Sequence, residues 1–254
     1  MSAVEYFKQA PPIIRTIAAS AFTLSILVYT GVVPGYYVVF YPQTLLWLPP
    51  QLWRLVTSFL ITGPQLSILF DTYFLYTYGA KLERSSPKFT KPGEFFTYIV
   101  FVMLTIVGLN HFITGTTVFT SGLIMAFIYT SSQDDRGTMA TLYIITIPAQ
   151  WLPLAMILIT FLMSGKTAAL VSLTGLIAAH LHDFLTRLWP TFGGGRNLLP
   201  TPGFVRRMFE TKTASVTHKS YGTAFAQPQG QGSSSGPLPE SWKSRGSGHR
   251  LGGT

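Results

Sequence analysis

The sequence contains no cysteine among its 254 residues, which excludes a disulfide framework, a thiolate nucleophile and a thiolate-held metal. Histidine is scarce as well, with five in the chain. Only His180 and His182 are near neighbours, and two residues apart on a helix they point to different sides, so no metal site and no cofactor are expected. Charge is thin: Asp, Glu, Lys and Arg make up 11% of the chain against 48% apolar residues. A soluble domain carries about 25% charged residues, so this body is expected to be solvated by lipid. The net charge of +9 does not point to nucleic acid, because the aromatics, 14% of the chain, lie inside apolar runs rather than among Lys and Arg.

What is present is a series of apolar runs: Thr16 to Val39, Gln65 to Leu82, Phe95 to Ile113, Thr116 to Ser131, Met139 to Met163 and Thr167 to Leu188. A bilayer core about 30 Å thick takes roughly 20 residues of helix, so six membrane helices are expected, an all-α polytopic protein. Of the 18 Lys and Arg, 16 fall on the side that bears both termini and only Arg54 and Lys166 on the other. The positive-inside rule then makes both termini cytosolic. The first 15 residues carry Glu5 and two prolines and the first apolar run is long, which predicts an uncleaved anchor. Three regions follow: a membrane domain at 1–190, a juxtamembrane segment at 191–210, and a cytosolic tail at 211–254.

Between the first two runs, the proline- and aromatic-rich segment Tyr41 to Pro64 does not suit a spanning helix and is expected to lie in the interface, with Trp47, Trp53 and Phe59 at headgroup depth. Arg54 at this depth requires backbone carbonyls or lipid phosphates as partners. It either snorkels beside Trp53 or pins the loop.

From here the residues resemble a known family. WRLVTSFL around Trp53 and Arg54, the segment Ser67 to Asp71, YFLYTYGAKLE, the Leu152-Pro153 step and GGRNLLPTPGF together resemble the Derlins, rhomboid-like pseudoproteases of the endoplasmic reticulum. The resemblance implies a six-helix rhomboid-like bundle and supplies a checklist for catalysis. A rhomboid protease uses a serine on its fourth helix, a histidine on its sixth and neutral oxyanion donors on its second. Ser121-Gly122 matches the end of the family's Gly-x-Ser-Gly, but Phe119 stands at the first glycine. The histidine position holds Ser172. His180 is the alternative base, about 20 Å below the other end of its helix, whereas Ser121 lies about 7 Å in. The donor positions hold Ser67 and Asp71, and an ionised Asp71 repels an oxyanion while a protonated one donates a hydrogen bond. Asp71 otherwise serves as a buried contact between helices. No catalytic residue is therefore expected, with Ser121 and His180 as the alternative pair.

The rest of the scaffold carries its own signals. The fourth run is short and rich in Ser and Thr, which implies local bilayer thinning and a polar groove, unless those hydroxyls only bond to their own backbone. Gly175 and Ala179, four residues apart, are expected to let the sixth helix approach a neighbour closely. Asn197 to Phe209 pairs Phe204, Val205, Met208 and Phe209 with Arg206 and Arg207, a pattern for the membrane surface. The composition of Thr211 to Trp242 predicts a disordered linker. The final Gly246, Gly248, His249, Arg250, Leu251 and Gly252 read either as linker or, by the resemblance, as the box that binds a hexameric AAA ATPase of the valosin-containing protein type. Arg245 stands where the family has an aromatic.

The resemblance implies a non-catalytic factor of endoplasmic-reticulum-associated degradation, within protein quality control and the unfolded protein response. It would assist retrotranslocation of misfolded proteins by binding them, thinning the bilayer and recruiting the ATPase, beside a membrane ubiquitin ligase complex. The alternatives are an active intramembrane serine protease and a small-solute carrier; the lack of an inverted repeat and the scarcity of midplane charges count against the carrier.

Overall fold

The computed structural model describes residues 10–45, 50–142, 145–193, 195 and 198–210. The chain divides into two units, Met1–Thr211 and Lys212–Thr254, and the described residues all fall in the first. Helix α1, Pro12–Tyr29, starts on a proline that needs no hydrogen-bond acceptor. Its next two free N–H groups, of Ile13 and Ile14, donate to the Glu83 carboxylate at 3.0 and 2.8 Å, a cap supplied from another helix. The expected run to Val39 stops early. Gly31 takes φ +79°, and Pro34 then leads into a 3-10 turn at Gly35–Tyr37, so the second half of that apolar stretch is loop.

Two short helices follow in the first loop, α2 at Pro42–Leu45 and α3 at Arg54–Thr57, then α4 at Ser67–Ser85, α5 at Glu94–Ile113 and α6 at Thr120–Asp134. The run expected from Met139 does not begin as helix. Strands β1, Met139–Leu142, and β2, Ile145–Pro148, pair antiparallel with Met139 opposite Pro148 and Leu142 opposite Ile145. Thr141, Ile145, Thr146 and Ile147 are β-branched, and Pro148 cannot continue a helix, so the extended form wins locally. A 3-10 turn at Ala149–Trp151 then opens α7, Leu152–Asp183.

Helix α7 reverses on itself at Gly165, whose φ of 83° and ψ of −178° are open to glycine alone. Its two ends lie together: the Ala149 N–H, just before it, donates to Thr138 past α6, and Asp183 meets the Lys88 that also pairs with Asp134 of α6. Its middle lies at the start of α6, where Ser121 Oγ is 3.5 Å from the Ala168 carbonyl. Two antiparallel limbs result, 152–164 and 166–183. A π turn at Phe184–Leu188, α8 at Trp189–Phe192 and α9 at Gly203–Phe209 complete the described chain.

Among the described residues, three helical stretches are long and apolar enough to cross a bilayer, Pro12–Tyr29, Glu94–Ile113 and Ala149–Phe192, the last supplying two segments by its reversal. With α4 and the short α6 these make a six-segment helical membrane bundle. Helix α6 is its axis, with Leu123 to Ile128 all buried between α4, α5 and the second limb of α7. That burial does not suit the lipid-facing role expected of the fourth run. Helix α6 is too enclosed to meet lipid, whereas the first limb of α7 exposes Leu154, Leu158, Phe161 and Leu162 and spans only about 20 Å of helix.

One end of the bundle is closed by charge. Lys88 Nζ lies 3.4 Å from Asp134 and 3.2 Å from Asp183, with all three side chains largely buried, and Lys81 pairs with Asp135 beside them. Helix α9 packs here, Val205 against Gly93 and Phe209 against Phe96 at 5.5 Å, leaving Phe204 and Met208 exposed. This basic end is opposite the first loop and Gly165.

Candidate functional site

The first loop is held by a run of donors on α3. Trp53 Nε1 reaches the Tyr37 carbonyl at 3.3 Å, Thr57 Oγ1 the Val38 carbonyl at 2.7 Å, and Arg54 the carbonyls of Tyr36 and Val39, the latter at 2.7 Å. Four successive carbonyls, from the 3-10 turn to Val39, are thereby satisfied, which backbone outside a regular α-helix requires at membrane depth. Arg54 is 1% exposed, with its guanidinium 5.0 Å from the Tyr36 ring and 5.8 Å from the Tyr41 ring. It reaches backbone rather than snorkelling. Trp53 is half exposed, whereas Phe59, expected at headgroup depth, is buried. Phe59 stacks on Phe119 at 5.3 Å because the loop folds inward, with the Phe119 N–H donating to Ser58 and the Phe40 N–H to Thr117, both at 2.9 Å. Trp47 lies outside the described residues.

Behind this loop a cavity of about 500 Å³ opens between α4, the start of α6 and both limbs of α7. Its wall is rich in hydroxyls: Ser67 on α4, Thr120 and Ser121 on α6, Thr160, Ser164, Thr167 and Ser172 on α7. Asp71 is its acidic side chain, and Asp71 Oδ2 accepts the Gly63 N–H at 3.0 Å. The mouth is braced by Tyr29, whose hydroxyl donates to the Thr62 carbonyl at 2.7 Å, and by Ser25 and Thr62, whose hydroxyls lie 2.9 Å apart. Sequence reasoning missed this brace and the α7 face. Thr160, Ser164 and Thr167 sit at helical spacing, a stripe visible in the sequence, but the reversal at Gly165 is what turns both of its ends into one wall.

Where the rhomboid comparison puts its catalyst, Ser121 faces Ser172, whose Oγ is 3.5 Å from the Ser121 carbonyl. His180 lies eight residues further, about 12 Å along the same limb, with Nδ1 2.7 Å from the Tyr129 hydroxyl. The structure does not bring Ser121 and His180 together. Phe119, fully buried between Phe40 and Phe59, fills the space beside the start of α6. Ser67 and Asp71 share the cavity with Ser121, so an oxyanion there would meet a carboxylate rather than two neutral donors.

Gly175 and Gly122 bring the second limb of α7 and α6 into close contact. A Cβ on Gly175 would lie 1.9 Å from the Gly122 carbonyl oxygen, so the two backbones touch directly. Ala179 is buried one turn on. Asn110 Nδ2 donates to Thr174 Oγ1 at 2.7 Å on the adjoining face, fixing the same limb to α5. The tail residues Gly246, Gly248, His249, Arg250, Leu251 and Gly252 lie outside the described residues, as does the linker from Thr211 to Trp242.

Fold and site together define a polytopic helical membrane protein with a central polar cavity on a rhomboid-like plan. The sequence profile of the Der1-like family matches residues 10–203. The chain is 27% identical to Derlin-1 of Arabidopsis thaliana over 207 residues, covering 80% of this chain and 76% of that one. It is 26% identical to human Derlin-1 over 222 residues, 84% and 85% of the two chains. Against Derlin-2 of Oryza sativa subsp. japonica it is 27% identical over 248 residues, 89% and 98% of the two. The chain belongs to the Der1-like family.

Proposed function

We propose that this protein is a non-catalytic factor of endoplasmic-reticulum-associated degradation that helps misfolded proteins leave the membrane for the cytosol. It resides in the endoplasmic reticulum membrane with both termini cytosolic, binds client segments in the cavity, and thins the bilayer beside the short first limb of α7. Its tail, from Gly246 to Gly252, recruits the hexameric AAA ATPase, and a membrane ubiquitin ligase works with it. The observation that carries this reading is the cavity itself: Ser121 lies in a hydroxyl-lined groove beside Ser172, with no histidine or lysine among the described lining residues. Such a wall offers many interchangeable hydrogen-bond partners to a polar chain, and it lacks the imidazole or amine base that activates a serine nucleophile, Asp71 being engaged with the Gly63 N–H. Family membership and the distribution of basic residues support the location and the orientation.

The test is affinity purification of intact protein beside Leu251→Ala and Arg54→Ala, combined with client turnover in cells depleted of the protein. ATPase is expected with intact protein and with Arg54→Ala, and to be lost with Leu251→Ala; equal recovery from all three refutes the tail assignment. Client turnover is expected to be restored by Ser121→Ala as well as by the wild-type chain. Failure of that variant alone, at equal abundance, refutes a non-catalytic role.

A further inference from the structure

The cavity holds an ionisable acid for which its own wall supplies no cation. Asp71 stands four residues into α4, about 6 Å from Ser67, with Oδ2 on the Gly63 N–H. Among the described residues no Lys, Arg or His lines the cavity, and the described ion pairs lie at the basic end and on α9. The neighbouring hydroxyls are partly spent elsewhere: Thr120 donates to the Ile61 carbonyl, and the Thr116 and Thr114 hydroxyls are 2.9 Å apart. A carboxylate away from bulk water is costly unless it meets a cation, and an intramembrane acid marks a site that pairs with one. The cavity volume of about 500 Å³ lies within the range of about 300–1,000 Å³ that takes a ligand-sized group.

We propose that Asp71 is a specificity-determining residue that selects membrane segments carrying a single Lys or Arg near the end that enters this cavity. The inference rests on the reading of the cavity as a client groove and adds which clients it takes. Asp71 lies toward the end of the bundle opposite its own basic end. Membrane proteins keep Lys and Arg on the cytosolic side, and bury them within a segment only beside a partner. A segment that presents an ammonium or guanidinium at this depth is therefore inverted or has lost its partner, and the carboxylate reads that error as charge. Leucine at the same place leaves Asp71 uncompensated, and glutamate repels it, so discrimination has an attractive and a repulsive part.

The test uses the full-length protein in liposomes with a photoreactive residue replacing Thr160, across the cavity, and leucine-rich segments bearing Lys, Leu or Glu one turn from the entering end. The Lys segment is expected to crosslink on the order of tenfold more than Leu, with Glu below both. Asp71→Asn keeps an acceptor for the Gly63 N–H and is expected to bring the three segments to one yield, whereas Asp71→Lys is expected to favour Glu. Equal yields for Lys and Leu on the wild-type protein, or a Lys preference that survives Asp71→Asn, overturn the role of Asp71 and leave the groove standing. If no segment crosslinks at position 160, the groove falls too.

Discussion

Replacing Gly175 with alanine adds one methyl group at the tightest point of the bundle. The new Cβ would lie 1.9 Å from the Gly122 carbonyl oxygen, 2.6 Å from its carbonyl carbon and 2.8 Å from its Cα. All three are backbone atoms, so no side chain can rotate away, and the second limb of α7 must move off α6 by more than 1 Å to reach ordinary contact distance. Overpacking of a well-fitted interior costs about 1–3 kcal/mol, and an unyielding backbone partner puts this change at about 3 kcal/mol. Two other glycines scale the effect. At Gly122 an added Cβ would lie 3.0 Å from the Val171 carbonyl and 3.3 Å from two side-chain carbons, a milder conflict of about 1 kcal/mol. At Gly108, exposed on α5, it would meet nothing within 4 Å, and alanine there is neutral or slightly stabilising. Thermal unfolding of the purified protein in detergent micelles is expected to rank the variants Gly108→Ala, Gly122→Ala and Gly175→Ala in order of falling stability. A Gly175→Ala protein that melts with the wild type refutes the direct backbone contact.

Arg54→Ala strands the carbonyls of Tyr36 and Val39 and is expected to cost about 3 kcal/mol in the same unfolding assay, with Arg54→Lys recovering part of it through one donor instead of a fork. Glu83→Gln weakens the cap on the N–H groups of Ile13 and Ile14 by removing its charge and is expected to cost about 1 kcal/mol in the same unfolding assay, and a melt unchanged from the wild type would exclude Glu83 as a cap that matters to stability. A serine-directed fluorophosphonate is expected to label the protein no more than it labels Ser121→Ala; stoichiometric labelling lost in that variant would show an activated serine.

The membrane segments were legible because lipid imposes a length of apolar helix that composition alone reveals. Their edges were less so. Val38, Val39 and Phe40 are as apolar as the helix before them, yet their backbone is spent on Thr57, Arg54 and Thr117. An apolar β-branched run such as Thr146 and Ile147 reads equally as buried helix or strand, and the pairing with β1 decides it. Asp71, Ser121, Ser172, Gly175 and Ala179 could be singled out from resemblance and spacing. The reversal at Gly165 falls in the gap between the fifth and sixth apolar runs, but that Gly122 is the surface Gly175 meets, and that Thr160, Ser164 and Tyr29 join Asp71 around one space, depends on how the helices pack across the bundle, which no local pattern encodes.

Lys88, clasped by Asp134 and Asp183, makes the bundle resemble a spring peg. The stretch after α4, the foot of α6 and the foot of α7 are pinned at one point by a cation that would lose one of its two carboxylates if either foot withdrew. A separation of α6 from the second limb of α7 that left this clasp intact would hinge on it and open the bundle at the opposite end, beside Tyr29 and Ser164.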